Sequence, residues 1–237
     1  MKKGLLITLL LVIVGLAAWF LRQLLRPTAL TPKPRTVEQV RAVLRAPMEN
    51  RLRPLFAQAG VSYPPQRLTL LALKEENRLE IFAGDTSGPM KFVTSYPILA
   101  ASGMAGPKLQ EGDKQVPEGF YRIESLNPNS SYHLSLRVNY PNPDDRARAR
   151  EETRDLSNLG GDIMIHGGAG SSGCLAMGDP AVEDIFILVA KTGLDHTDLI
   201  MAPWDFRSEA KHELPPSAPA WTGALHERLR KVLAELR

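Results

Sequence analysis

The sequence predicts a mainly β, mixed α+β domain with a few packed helices, preceded by an N-terminal membrane segment. Three observations predict this class. Short strand-like stretches separated by turn residues recur along the chain, helical patterns are few, and one uniform apolar run opens the sequence. With 237 residues, 43% hydrophobic and 23% charged, the chain is long enough to bury the core of one main domain.

The first residues are typical of a segment that directs a protein to a membrane. Lys2 and Lys3 precede an uncharged run, residues 4–21, which is followed by Arg22. A cleaved signal has an apolar core of about 7–15 residues and a spanning helix about 18 or more, so this run lies at the boundary. We expect residues 1–25 to be an uncleaved anchor, with signal cleavage as the alternative. Both interpretations export the rest of the chain.

A proline-rich stretch, residues 26–35, predicts an extended tether. Residues 36–60 predict a helical lead-in of one or two short helices, because Pro47 and Pro54 interrupt the apolar spacing. The main domain is expected over residues 61–207. Its predicted strands are 67–73, 78–84, 91–99, 119–126, 131–138, 161–166 and 197–203.

The remaining stretches predict loops and helices. Residues 101–118 should form a long loop over the sheet, and residues 140–161 a flap or short surface helix. A helix is expected from Asp179, as its N-cap, to Gly193. Residues 208–237 predict a proline-rich break followed by an amphipathic C-terminal helix.

The charge balance indicates no nucleic-acid partner. The chain has 29 basic and 26 acidic residues, and two of the lysines precede the apolar run. The exported part is therefore nearly neutral, without the excess of basic residues that nucleic-acid binding requires.

A glycine pattern, Gly168, Gly170 and Gly173, matches the G-x-G-x-x-G spacing of a dinucleotide-binding loop. Such a loop must open a helix whose N-terminus faces the pyrophosphate. Here the next helix begins only near Pro180, so the pattern does not predict a nucleotide site. No phosphate-binding lysine follows the glycines either.

The single cysteine, Cys174, lies beside this pattern. In an exported chain an unpaired cysteine is a reactive thiol, half of an intermolecular bridge, or a buried inert residue. His166 precedes it, and the glycine-rich loop between them can bring the two together, as a cysteine nucleophile and its base require. The helix near Pro180 begins too late to lower the pKa of the thiol, so His166 would have to do so. One cysteine and scattered histidines predict no metal site.

Several separated motifs resemble one family. The segment "IMIHGGAGSSGCLAM" is similar to the signature of the YkuD-type L,D-transpeptidase catalytic domain. The upstream "GPKLQEGDKQVPEGFYRIESLNPNSSYHLSLRVNYPNPDDRAR" and the downstream "GCLAMGDPAVEDIF" resemble its YafK-like subgroup. The resemblance extends over about residues 60–207, and it implies an L,D-transpeptidase-like β-sandwich.

The resemblance implies a site and a reaction. Cys174 would be the nucleophile, His166 the base, and Gly167 the carbonyl that orients the imidazole. Oxyanion or substrate contacts would come from residues of the loop and of the preceding strand: Gly173 and Cys174 through their amides, and Ser171, Ser172, His133 and Tyr132. No cofactor and no metal are expected.

The implied substrate is the meso-diaminopimelate-containing stem peptide of peptidoglycan, which would be attacked at the L-centre to give a thioacyl-enzyme. Transpeptidation in cell wall remodelling is the leading prediction. An amidase that cleaves a wall-linked lipoprotein through the same thioester, and a non-catalytic peptidoglycan-binding module, are the alternatives. The implied location is the periplasmic face of the bacterial inner membrane, or the free periplasm after cleavage.

The sequence also departs from the family pattern. Ser172 stands where most members have a second histidine, and Ala176 where many have an arginine. The pair Val116 and Pro117 replaces a Thr-Pro pair. The group that binds the carboxylate of the substrate is therefore left open.

Overall fold

The computed structural model describes residues 34–236 together with Leu16 and Trp19. The chain divides into two units, residues 1–34 and residues 35–237. The predicted membrane segment, apart from Leu16 and Trp19, and most of the predicted tether lie outside the described residues. Among the residues that are described, no helix is both long and apolar enough to cross a membrane.

The second unit is a mixed α+β fold, which confirms the predicted class. Its described helices are α1 (Val37–Ala59), α2 (Pro143–Glu151), α3 (Asp179–Thr192) and α4 (Thr222–Glu235). Its strands are β1 (Arg67–Leu73), β2 (Arg78–Gly84), β3 (Lys91–Pro97), β4 (Gly119–Ser130), β5 (His133–Val138), β6 (Met164–His166), β7 (Leu175–Ala176) and β8 (Thr197–Ala202). Two short 3₁₀ helices, Leu156–Asn158 and Leu194–His196, precede β6 and β8.

The strands are hydrogen-bonded in one continuous order, β3-β2-β1-β8-β4-β5-β6-β7. The resemblance implies a β-sandwich. Among the described residues, the eight strands are connected in this one hydrogen-bonded order. The long strand β4 joins its two halves, because its start pairs with β8 and its remainder with β5. A register irregularity between Ile123 and Ser125 marks the change of partner, as expected of a bulge that bends a strand.

Helices cover both faces of the first half of the sheet. Leu70 of β1 packs in a cluster with residues of α1 and α3, whereas its neighbour Leu71 packs with residues of α4. A sheet covered on both faces has strands that are apolar at nearly every position. This explains why β1 and β2 are buried from their second residue to their last without alternation.

The lead-in is one continuous helix, so the prediction that its prolines divide it was wrong. Pro47 and Pro54 both lie inside α1. They are seven residues apart and exposed, whereas Met48, Leu52 and Phe56 are buried. The carbonyl groups that each proline leaves without an amide partner therefore face water, which makes the interruption tolerable.

Several other expectations differ in detail from the structure. The third predicted strand ends at Pro97, β4 extends to Ser130, and the strand predicted over 161–166 begins only at Met164. The two-residue strand β7 was missed. Gly178, and not Asp179, is the N-cap of α3, because the Asp179 carboxylate instead accepts a hydrogen bond from the amide of Gly168.

The predicted long loop carries no helix or strand between β3 and β4, and it is fixed by a buried carboxylate. Glu118 Oε1 accepts hydrogen bonds from Lys74 Nζ at 2.9 Å and from the Gly106 amide at 2.6 Å. Its Oε2 lies 3.0 Å from His226 Nε2 of α4. Burial alone would raise the pKa of Glu118, but the hydrogen bonds from His226 and Lys74 outweigh it and hold this pKa below its ordinary value. Glu118 thus ties the loop to the C-terminal helix.

We expect Glu118→Gln to lower the free energy of unfolding by about 3–5 kcal/mol at pH 7, because it leaves the buried Lys74 ammonium without its counter-charge. The pKa of Glu118 lies below 4.5 when folded, so its stabilisation is complete above that pH and is lost as the pH falls through the folded-state value. Urea unfolding should show a smaller difference in the free energy of unfolding between Glu118→Gln and wild type at pH 4 than at pH 7.

The matched control is Glu227→Gln, which breaks an exposed pair with Arg230 on the same helix. It should change the free energy of unfolding by at most about 1 kcal/mol. Equal effects of the two variants would contradict the role given to Glu118.

Candidate functional site

The predicted site lies where β5, β6 and β7 meet at one end of the strand order. Ile165 of β6 pairs with Leu136 of β5 and with Leu175 of β7, and all three side chains are fully buried in the core. Side chains alternate along a strand. His166 and Cys174, which flank this row, therefore both lie on the opposite face of the sheet.

The thiol of Cys174 is half-buried and contacts the backbone that leads into β6. Its Sγ accepts a hydrogen bond from the Met164 amide at 3.4 Å and donates to the Asp162 carbonyl at 3.5 Å. With neighbouring strands about 4.8 Å apart and a rise of about 3.3 Å per residue, the Cα atoms of Cys174 and His166 are roughly 8 Å apart. None of the hydrogen bonds among the described residues joins the two side chains.

The surroundings of Cys174 favour the neutral thiol over the thiolate. Burial raises the pKa of Cys174 above its ordinary value of 9.0, the hydrogen bond from Met164 lowers it, and the nearby Asp162 carboxylate raises it again. The sequence predicts a pKa lowered by His166, whereas the direction in the free protein is upward, with burial as the largest cause. A base that takes the proton would therefore help this thiol to react at neutral pH.

The His166 ring is buried and its orientation is fixed. Its Nδ1 lies 2.6 Å from the Gly167 carbonyl oxygen, the contact that the sequence predicts. A carbonyl can only accept a hydrogen bond, so Nδ1 carries a proton, and the neutral tautomer that fits this contact has Nε2 as an acceptor. The Tyr132 ring covers the imidazole, with their centroids 4.6 Å apart.

The loop from His166 to Cys174 depends on Gly167. A Cβ atom at this position would lie 2.5 Å from the Tyr132 carbonyl and 2.6 Å from Asp179 Oδ1, and real Cβ atoms do not approach so closely. The same Asp179 carboxylate accepts from the Gly168 amide at 3.0 Å. The start of α3 therefore braces the loop that carries the cysteine.

Both amides predicted to stabilise an oxyanion already have partners. The Gly173 amide donates to Ser102 Oγ at 2.6 Å, and the Cys174 amide donates to Ser171 Oγ at 3.0 Å. The Ser171 hydroxyl in turn donates to the Cys174 carbonyl at 2.6 Å. Ser171 thus closes the turn at the cysteine, and Ser102 joins this turn to the long loop before β4.

The other residues predicted to contact the oxyanion or substrate are either paired within the fold or exposed. His133 Nε2 lies 2.9 Å from a Glu183 carboxylate oxygen of α3, which pairs it within the fold. Tyr132 is 53% exposed and does not share the buried face of Leu134, because His133 has a left-handed φ of 72° at the start of β5. Ser172 is exposed.

Sequence reasoning missed three residues that the fold brings to this site: Ser102, Asp179 and Arg137. Arg137 pairs with Met164 in the β5–β6 register and therefore lies on the same face as Cys174. The alternation in "SYHLSLRV" places Arg137 on one face, but only the register connects that face to the cysteine. In residues 34–236, no group of three or more His, Cys, Asp or Glu side chains is placed to hold a metal ion.

Comparison with known proteins identifies the domain. The family model YkuD, the L,D-transpeptidase catalytic domain, matches residues 69–196. YafK of Escherichia coli K12 is 36% identical over 118 residues, which are 49% of this chain and 44% of that protein. The match thus spans less than half the length of this relative.

The solved structures that match this chain have lower identity. The helical cell shape determining protein Pgp2 from Campylobacter jejuni is 23% identical with a TM-score of 0.46, over 62% of this chain and 49% of that chain. Bd1075 of Bdellovibrio bacteriovorus is 20% identical with a TM-score of 0.42, over 73% and 56% of the two chains. Since the YkuD model matches more than half of the sequence, this chain belongs to the YkuD family of L,D-transpeptidase catalytic domains.

Proposed function

We propose that this chain is a cysteine-dependent peptidoglycan L,D-transpeptidase, with Cys174 as nucleophile and His166 as base. One observation carries the proposal. The Gly167 carbonyl fixes the proton of His166 on Nδ1, which leaves Nε2 as an acceptor on the face that also carries the thiol. Membership of the family supplies the substrate class, stem peptides of peptidoglycan.

In the proposed acylation, rotation of the Cys174 side chain brings Sγ from its backbone contacts toward His166. Nε2 takes the thiol proton as Sγ attacks the carbonyl carbon at the L-centre of meso-diaminopimelate. The leaving amine then takes this proton from His166, and a thioester remains on Cys174. Because the free thiol is neutral, the proton is transferred during the attack and not before it.

The oxyanion formed in this step needs hydrogen-bond donors. The Gly173 amide, which donates to Ser102 Oγ at 2.6 Å in the free protein, is the donor we assign. The oxyanion would exchange with this hydroxyl as substrate binds. The Cys174 amide stays with Ser171 and keeps the turn in shape.

The acceptor decides the product. An amine of a second stem peptide that attacks the thioester gives a cross-link, with His166 again taking the proton. Water gives hydrolysis, and a wall-linked lipoprotein as the first substrate would make the same chemistry an amidase. A protein that binds stem peptides without forming a thioester would be a binding module.

We also propose that the domain works at the periplasmic face of the inner membrane, anchored by residues 1–25. The support is the sequence pattern of two lysines followed by the uncharged run, and the location of peptidoglycan, its proposed substrate, outside the cytoplasm.

Incubation with disaccharide tetrapeptide should add the mass of the acyl group to Cys174, as measured by intact-protein mass spectrometry. The adduct should decay to cross-linked product; decay to free peptide, or an adduct only with lipoprotein-linked muropeptide, would indicate an amidase. Cys174→Ala, and wild type already alkylated with iodoacetamide, should give no adduct. Turnover by Cys174→Ala would contradict the assignment of the nucleophile.

In the same assay His166→Gln should slow acylation by about 10²–10⁴-fold, the usual contribution of a general base. Alkylation of its Cys174 at high pH, where no base is needed, serves as the control for folding. Acylation at the wild-type rate would remove His166 from the mechanism.

The alkylation rate of Cys174 in the free protein should keep rising as the pH passes 9.0, because burial raises the pKa of this thiol. Iodoacetamide kinetics between pH 6 and 11, compared with a cysteine-containing peptide, measure the midpoint. If the rate for Cys174 reached its plateau at a lower pH than the rate for the peptide, the protein would stabilise the thiolate. That result would contradict the proposed timing of proton transfer.

A reporter that is active only outside the cytoplasm, fused after Arg35, should be active in bacterial cells, because residues 1–25 are expected to direct the fused protein across the membrane. The same fusion without residues 1–25 is the control and should be inactive. An inactive full fusion at normal expression would overturn the proposed location.

A further inference from the structure

The sheet register places a cationic side chain beside the cysteine. Arg137 of β5 pairs with Met164 of β6, and the Met164 amide donates to Cys174 Sγ. Arg137, Met164 and Cys174 therefore form one row across three strands. Neighbouring strands are about 4.8 Å apart, so the Cα atoms at the two ends of the row are separated by roughly 10 Å.

The guanidinium of Arg137 pairs with two exposed carboxylates, and one of them belongs to a residue that also contacts the thiol. Arg137 Nη1 donates to Asp162 Oδ1, and its Nε donates to Glu124 Oε2 at 2.8 Å. The carbonyl of the same Asp162 lies 3.5 Å from Cys174 Sγ. Asp162 thus contacts the guanidinium through its carboxylate and the sulfur atom through its carbonyl.

These ion pairs are open to exchange. The side chains of Arg137, Glu124 and Asp162 are 40%, 55% and 79% exposed, and ion pairs this exposed contribute little to stability. A planar guanidinium binds carboxylates through two parallel hydrogen bonds, so a carboxylate of the substrate can replace that of Asp162.

A second basic side chain, whose charge acts on the thiol, is already paired. Lys108 is one of the groups that affect the pKa of Cys174. Its ammonium is buried and lies 2.7 Å from Asp113 Oδ1 and 2.7 Å from the Gln110 carbonyl oxygen. Arg137 is also paired, but its side chain is 40% exposed and that of Lys108 only 5%, so Arg137 is the more open of these two cations to an anionic substrate.

We propose that Arg137 binds a carboxylate of the substrate on the sheet face that carries Cys174, in exchange for Asp162. The proposal rests on the function proposed above, since the stem peptide carries a free carboxylate on the D-centre of meso-diaminopimelate. Asp162 holds the guanidinium in place in the free protein. Arg137 is thus a substrate-binding residue, which selects substrates whose D-centre carboxylate is free and charged.

Binding to the full chain with Cys174→Ala tests the proposal without requiring turnover. The probes are disaccharide tetrapeptide with its D-centre carboxylate free and the same compound amidated there. The parent should prefer the free form by at least about tenfold, as charge-assisted hydrogen bonds would provide. Adding Arg137→Gln should reduce this ratio to about one by weakening binding of the free form alone.

Asp162→Asn distinguishes substrate binding by Arg137 from an ion pair that only stabilises the fold. Asparagine tolerates the left-handed φ of 54° at this position, and it frees the guanidinium from its competitor. The preference for the free form should persist or increase, opposite to Arg137→Gln. Equal losses in both variants would overturn the proposal in favour of a structural pair.

The matched control is Arg122→Gln, which removes an exposed arginine that lies 3.9 Å from Asp198 elsewhere on the sheet. It should leave the ratio unchanged. If the ratio of binding between the free and amidated probes depends on Arg137 but the wild type is not acylated, the carboxylate site stands and the proposed cysteine chemistry is refuted. Acylation of wild type with a ratio that survives Arg137→Gln would refute the carboxylate site alone.

Discussion

The parallel pairing of β6 with β7 is the constraint on which the site depends. Parallel strands are usually joined by a dozen or more residues, yet here only residues 167–174 connect His166 to Leu175. So short a connection must turn tightly against its neighbours. There is no space for a side chain at Gly167, and the Asp179 carboxylate at the start of α3 accepts a hydrogen bond from the Gly168 amide. The same turn brings Cys174 onto the face that His166 occupies.

The chemistry we propose depends on how this face is enclosed. The opposite face belongs to the core, so the strands that carry His166 and Cys174 cannot shift their register without exposing Ile165 and Leu175. Burial keeps the thiol neutral, and the Gly167 carbonyl keeps a proton on Nδ1 of the imidazole. In the proposed reaction the thiol therefore gives its proton to Nε2 of His166 as it attacks the substrate.

The long loop before β4 connects this site to the rest of the fold. At one end Ser102 accepts from the Gly173 amide, and at the other Glu118 is held by Lys74 and by His226 of α4. The C-terminal helix thus supports the wall of the site through a buried carboxylate. This gives a structural role to a helix whose purpose the sequence does not indicate.

Sequence patterns predict most of the elements, because periodicity and turn residues are local. The first two strands were predicted with their observed bounds, and His166 and Cys174 were singled out from their order in the chain. The expectations that failed depend on tertiary contacts. Pro47 is tolerated in α1 because it faces water, and β7 is too short to show a period. Arg137 could not be connected to the cysteine, since register between distant strands has no local signal.

The most direct test of the central claim is the tautomer of His166. Ring nitrogen NMR shifts of ¹⁵N-histidine-labelled protein at neutral pH, assigned by comparison with His166→Gln, distinguish the two neutral forms. The proposed mechanism requires a proton on Nδ1 and an unprotonated Nε2, ready to accept from the thiol. A proton on Nε2 in the free protein would contradict it, because the nitrogen assigned as base would then be a donor.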